Sequence, residues 1–310
     1  MAVTQSKVGA PADRETRRGL AFGVLAYSIW GLSTAFYKLM PHIQPIEIVA
    51  HRAAWAVPFA ILVLLIMGGG SAVLPTLRDW RIMRVLVVTA LIIASNWSMF
   101  IWAVANDMIL EASLAYYVNP LVSVLLGFVF LKERLSRAQV IAIAIAGGAV
   151  LLQIVAEGKF PWLALCLAVS FAVYGYLRKT VPVGAVQGFL VETLMILPLA
   201  IVAIFWFETT GQGHMFTSAA DFFYLVSCTV ITGVPLMLFA AAAQRLPLST
   251  MGLMQYIAPT LGFIIGIWWF KEPLTTVGLI AFVMIWIALA IITWAALTER
   301  RASASPTSPV

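Results

Sequence analysis

The chain has 310 residues, 62% of them hydrophobic and only 10% charged, with a mean hydropathy of +0.99 and a formal net charge of +6. That balance excludes a water-soluble globule of this length. Apolar stretches of the ~20 residues that cross a bilayer as a helix recur along the whole chain, whereas the alternating segments of an outer-membrane barrel are absent.

In chain order, residues 1–18 form a polar tail with Lys7, Arg14, Arg17 and Arg18. The apolar run that follows is too long for a signal-peptide core and lacks a clear cleavage site, so it is expected to be a retained first span. Ten spans are expected, at 19–40, 45–67, 82–104, 111–131, 137–156, 160–179, 184–207, 221–243, 249–270 and 275–297. The first holds Tyr27 and Trp30, and the second His51, Arg52 and Pro58. Asn96 and Trp97 fall in the third, and Tyr116, Tyr117, Asn119 and Pro120 in the fourth. Tyr174 lies in the sixth, Glu192 and Pro198 in the seventh, Pro235 in the eighth, and Gln255, Tyr256 and Pro259 in the ninth. Cys166 and Cys228 sit inside apolar segments, as small buried hydrophobes do, and residues 298–310 close the chain as a second polar tail.

Alternating the loops across the membrane places 15 of the 19 Lys and Arg on the N-terminal side: the four of the tail, Arg78, Arg81, Arg84, Lys132, Arg134, Arg137, Arg178, Lys179, Arg245, Arg300 and Arg301. Lys38, Lys159 and Lys271 fall opposite. Cytoplasmic loops collect basic residues, so both termini are expected in the cytoplasm of a bacterium, in a multi-pass protein of the inner membrane. The positive charge then faces lipid headgroups rather than nucleic acid.

A shift of 139 positions lays "LAYYVNPLVSVLLGFVFLKERLS" (114–136) over "LMQYIAPTLGFIIGIWWFKEPLT" (253–275) and pairs Tyr117 with Tyr256, Pro120 with Pro259, Gly127 with Gly266 and Glu133 with Glu272. A shift of about 140 brings Pro58 onto Pro198 and Arg52 onto Glu192. The expected architecture is therefore an all-α membrane protein of two five-helix repeats, 19–156 and 160–297, the second inverted because five is odd. Inverted repeats with a central site are a construction of secondary transporters.

The stretches "AYSIWGLSTAFYKL", "EIVAHRAAWAVP", "NWSMFIWAV", "EASLAYYVNPLVSVLLGFVFLKERLS" and "RLPLSTMGLMQYIAPT", with the duplicated "LKERLS" and "FKEPLT", resemble the EamA family of the drug/metabolite transporter superfamily, and within it the RarD-type permeases. The resemblance covers almost the whole membrane domain and implies an inner-membrane permease of the exporter type. It implies no cargo. The second copy departs from the first in reading Lys-Glu-Pro for Lys-Glu-Arg.

A guanidinium about seven residues into a span costs roughly 2.5–3.5 kcal/mol to insert, so Arg52 needs a partner or a task. Glu192 is the acidic side chain placed deep in a span, at the equivalent position of the other repeat. Two readings stand: Arg52 grips a carboxylate or phosphate-like group of the cargo while Glu192 neutralises it in the unloaded site, or the two form a permanent ion pair joining the halves. Glu192 and His51 are the candidates for coupling to protons, His51 being otherwise a packed neighbour. Trp30, Asn96, Tyr117, Asn119, Gln255 and Tyr256 complete the expected substrate-binding set, because aromatic and amide groups suit a wet cavity for amphipathic ligands. Pro58, Pro120, Pro198, Pro235 and Pro259 interrupt spans as hinges or as static kinks. Trp80, Trp268 and Trp294, near span ends, are expected to anchor helices at the interface.

The sequence holds no phosphate-binding loop, no H-E-x-x-H and no G-x-S-x-G, so energy is expected from a gradient, with no enzymatic activity, cofactor or metal. A membrane-embedded enzyme and a non-transporting assembly or regulatory protein are the rival readings. The expected partners are a small-molecule cargo and membrane lipids, with no nucleic acid, for a monomer or homodimer.

Overall fold

A computed structural model of the chain describes residues 10–68, 73–131, 135–158, 160–243, 245–246 and 254–304. All secondary structure among them is helical. The helices are α1 (Ala10–Tyr37), α2 (Pro45–Met67), the short α3 (Val73–Arg78), α4 (Trp80–Ala105), α5 (Ile109–Leu131), α6 (Arg137–Glu157), α7 (Trp162–Thr180), α8 (Ala185–Thr209), α9 (Ala219–Ala243), α10 (Ile257–Ile264, continued by a π turn, Ile265–Trp269) and α11 (Thr276–Ala304). Eight are long and apolar enough to cross a membrane, and Trp162–Arg178 and Ile257–Trp269 are shorter apolar helices. The chain is a multi-pass membrane protein.

Local chemistry sets the ends. Pro45 opens α2, where its missing N–H is no loss, and Gly68 closes it at φ 68°, its amide returning to the carbonyls of Leu64 and Leu65. Asp79 caps α4 by accepting from the amides of Arg81 and Ile82, and Ser136 with Gln139 forms a capping box on α6. At the start of α5 the cap comes from far along the chain. Glu272 accepts the amides of Ile109 and Leu110 through its two oxygens, each at 2.9 Å. The turn that carries it bends at Lys271, in the left-handed region at φ 53°.

Besides the expected ninth span, 249–270, whose helix begins only at Ile257 after a turn at 255–256, three stretches differ from the sequence reading. Helix α1 starts at Ala10 inside the expected tail, carried on past the apolar run by a Glu15–Arg18 pair one turn apart at 2.8 Å. Helix α11 likewise runs on to Ala304. In both cases the helix outlasts the hydrophobic pattern, because lipid boundaries and backbone boundaries are different things. The third is α3, which occupies a stretch expected to be loop; Lys132, Glu133 and Arg134, the first copy of the duplicated Lys-Glu motif, lie outside the described residues.

Helix α2 packs on α8 and α9, α4 on α7 and α8, α1 on α9 and α10, α5 on α7 and α10, and α6 on α11. The largest buried cluster joins α5, α6, α7 and α11, and its many alanines let the backbones approach closely. Gly31 serves the same end where α1 meets α10: a Cβ there would lie 2.7 Å from that of Leu261. Outward faces carry Leu65, Ile66, Val155, Val202 and Trp206, more than half exposed, as a lipid-facing surface requires. Trp80, Trp268 and Trp294 are 71%, 78% and 72% exposed, in keeping with interfacial anchors.

Candidate functional site

Arg52 is the eighth residue of α2 and only 7% exposed. Its Nη1 donates to Tyr37 Oη at 3.2 Å, and its Cζ lies 4.1 Å from the centroid of the Trp97 ring. Helix α9 fixes the backbone beside it, Thr229 Oγ1 donating to the Arg52 carbonyl at 3.0 Å. The guanidinium Nε is buried without an acceptor. A desolvated cation–π contact contributes about 2 kcal/mol or more, yet a ring and a phenol leave the charge uncancelled.

Glu192 is the eighth residue of α8, 2% exposed. It thus stands at the same place in its helix as Arg52 does in α2, but the expected ion pair between Arg52 and Glu192 is not formed. Glu192 Oε1 takes a hydrogen bond from Thr89 Oγ1 at 2.7 Å and faces Arg178 Nε at 3.5 Å, while Oε2 accepts from Tyr174 Oη at 3.1 Å. Arg178 thus does more than orient the chain. Its side chain is 14% exposed and turned into the bundle, in space that Gly188 of α8 leaves open because it lacks a Cβ.

Five aromatic rings join the two charged groups in one file. From Tyr37, which holds Arg52, centroid steps of 6.3 Å to Phe100, 5.8 Å to Tyr116, 6.1 Å to Phe171 and 6.1 Å to Tyr174 lead to Glu192. The first three contacts are edge-to-face and the last is tilted. Apart from Tyr37, these rings and Trp97 are half-buried although α1, α4, α5 and α7 bring them together inside the bundle, so their faces are within reach of a small molecule. A cation at one end, apolar faces between, and an acid paired with Arg178 at the other are the chemistry that would suit an amphipathic anion.

The other expected site residues fall into separate groups. Asn96 donates to the Leu167 carbonyl at 3.0 Å and to Ser170 Oγ at 2.9 Å, and Asn119 donates to the Ala168 carbonyl at 3.0 Å. Both amides tie neighbouring helices to α7. Tyr117 and Tyr256 stack with centroids 6.4 Å apart, the hydroxyl of Tyr117 bonding Thr260 at 2.6 Å. Trp30 packs against Tyr27 and Phe239 between α1 and α9, and Gln255 lies half-buried in the turn before α10. His51 is 1% exposed with both ring nitrogens unpartnered. Pro58, Pro120, Pro198 and Pro235 lie inside helices as expected, whereas Pro259 is the third residue of α10, where no amide partner is needed. Arg178, Thr89, Phe100 and Phe171 were not singled out as site residues in the sequence: Arg178 sits where orientation charges usually sit, and the others are ordinary residues of apolar spans.

The EamA-like transporter family matches residues 17–155. Protein RarD of Escherichia coli is 39% identical over 292 residues, covering 94% of this chain and 99% of that protein. An uncharacterized transporter of Pseudomonas aeruginosa is 41% identical over 288 residues, covering 90% of this chain and 94% of its own length. One solved structure, described only as the crystal structure of a protein, superposes with a TM-score of 0.57 over 94% of this chain and 99% of its own, at 20% identity, and speaks to the fold alone.

Proposed function

The chain belongs to the EamA-like transporter family, among its RarD-type permeases, and from that premise we propose that it is a secondary transporter exporting small organic anions with an aromatic or apolar body. The observation that carries this reading is Arg52, a buried guanidinium with no acidic partner among the described residues, at the head of an aromatic file. A carboxylate or phosphate-like group on the cargo would cancel the charge that Tyr37 and Trp97 leave standing, and the fork geometry of arginine suits such groups. The apolar body of the cargo would then lie along Phe100, Tyr116 and Phe171. Transport draws on a proton or solute gradient, with Glu192 as the residue that takes up the coupling proton.

Alternating access in this reading uses ten spans in two inverted repeats, in a bacterial inner membrane, with both termini cytoplasmic. Helix pairing supports it. Exchanging the first five spans (α1, α2, α4, α5, α6) with α7–α11 turns the packing of α4 on α7 into that of α9 on α1, and of α5 on α7 into that of α10 on α1, while α2 with α8 and α6 with α11 map onto themselves. Tyr117 and Tyr256, equivalent at a shift of 139, stack on each other as residues beside a pseudo-twofold axis do. Pro58 and Pro198, six residues beyond Arg52 and Glu192 in the paired helices α2 and α8, serve as its hinges.

The test uses purified protein in liposomes and a labelled aromatic carboxylate beside its neutral amide. Relocation of the acid, unchanged, with little movement of the amide is the expected result, and Arg52→Gln should remove the difference. Equal movement of acid and amide would sink the reading, and chemical conversion of either would return the enzyme.

A further inference from the structure

Away from the aromatic file, at the end of the bundle where α2 begins and α8 ends, the structure gathers groups that the transport reading leaves unused. Glu47 and His51 are one turn apart on the same face of α2, and both are fully enclosed, at 0% and 1% exposure. Glu208 joins them from the last turn of α8. One ligand atom from each of the three lies within 4.8 Å of the others. Neither nitrogen of the His51 ring has a hydrogen-bond partner, so an imidazole is enclosed beside two carboxylates that it does not touch. The loop between α8 and α9 closes over them: the His214 amide donates to Glu47 Oε1 at 2.7 Å, His214 Nδ1 lies 2.8 Å from Glu47 Oε2, and the Met215 amide donates to Glu208 Oε1 at 3.3 Å.

We propose that Glu47, His51 and Glu208 form a binding site for a divalent transition ion of the Zn2+ class, which ties the start of α2 to the end of α8. Spacing is the first reason. The three ligand atoms lie within 4.8 Å of one another and the His51 nitrogens make no hydrogen bond, and an ion with bonds of about 2.1 Å holds its ligands about 3.4 Å apart, a spacing within that reach. Charge is the second, because the enclosed carboxylate of Glu47 and the half-buried one of Glu208 meet at one point, which calls for a cation between them. The third is the donor set. One imidazole nitrogen with two carboxylate oxygens suits Zn2+ and its neighbours, whereas Ca2+ and Mg2+ take oxygen. His214, bonded to the far oxygen of Glu47, would orient that carboxylate as an outer partner does.

The binding test needs no assumption about cargo. Full-length protein in detergent, with any affinity tag removed and chelator-stripped, is titrated calorimetrically with Zn2+ and with Ca2+. One Zn2+ per chain and much weaker Ca2+ binding are expected. Glu208→Gln, at the half-buried ligand, should weaken Zn2+ by at least about tenfold while the metal-free melting temperature stays near wild type, and His51→Gln should do the same. Asp221→Asn, which disturbs the neighbouring His42 contact, should leave affinity unchanged. If His51→Gln does not fold, Glu208→Gln decides alone. No saturable Zn2+ binding to wild type, affinity retained in Glu208→Gln, or Ca2+ bound as tightly as Zn2+ would each overturn the site, and none of these outcomes bears on the liposome result.

Discussion

Arg52 and Glu192 occupy the same position in two helices, yet their surroundings give them different chemistry. Arg52 lies over the Trp97 ring, so Arg52→Lys keeps the charge and loses the planar, forked guanidinium. Binding of an aromatic carboxylate, measured in detergent, should weaken by about 1–3 kcal/mol with little change in melting temperature. A pair of double-mutant cycles separates the two acid–base arrangements. Removing Arg178 and Glu192 singly and together should reveal a coupling on the order of 0.5–3 kcal/mol in thermal stability, because the two face each other across 3.5 Å. The same cycle on Arg52 and Glu192 should add within about 0.5 kcal/mol, and a larger coupling there would restore the direct pair. The sequence made Arg52 and Glu192 legible because a charge deep in an apolar run has a cost that must be met. It hid Arg178, whose place beside Lys179 at a span end is where basic residues ordinarily do no more than set orientation, and it hid Glu47 and Glu208 for the same reason at other helix ends.

Between helices, small residues and caps decide what those side chains can do. Gly188 leaves the space that the Arg178 guanidinium occupies, so Gly188→Ala pushes a flexible side-chain tip rather than backbone. The expected outcome is a small change in stability with a marked loss of transport, read by melting temperature and liposome flux on the same preparation. Loss of fold would show instead that the helix contact itself depends on the glycine. Glu272 illustrates a role that periodicity cannot express. The duplicated Lys-Glu motif identified it as a repeat marker, while the structure makes it the cap of α5, a helix beginning more than 160 residues earlier. Glu272→Gln leaves one neutral acceptor and turns an NH2 toward the other amide, so one bond is weakened and one is lost, and stability in a thermal melt should fall by about 1–3 kcal/mol. Long apolar helices other than α10, which begins eight residues later than expected, were legible to within a few residues because hydropathy is a property of the segment. Caps and continuations such as Ala10–Arg18 were not, since they depend on local pairs or on residues from distant parts of the chain.

For the whole molecule the critical element is α10. With its π turn it covers 13 residues, Ile257–Trp269, about 20 Å at the rise of a helix, against a hydrocarbon core of about 30 Å. It packs on α1 and α5, and such neighbours can cover the backbone that a short helix would otherwise expose to lipid. Whether α10 crosses decides the parity of the chain beyond α8, and with it the inverted repeat. Among the described residues between the 210–218 loop and the C-terminus lie α9, α10 and α11, so three crossings put loop and terminus on opposite sides while two put them on the same side. The experiment introduces Gln212→Cys, in that exposed loop, into a background with Cys166→Ala and Cys228→Ser, and fuses a reporter after the last residue. Intact cells should take up a membrane-impermeant thiol reagent at position 212 while the reporter gives its cytoplasmic signal. Shielding of position 212 together with a cytoplasmic reporter would mean that α10 dips and returns, and the pairing of α5 with α10 would then join helices of unlike topology rather than two copies of one span.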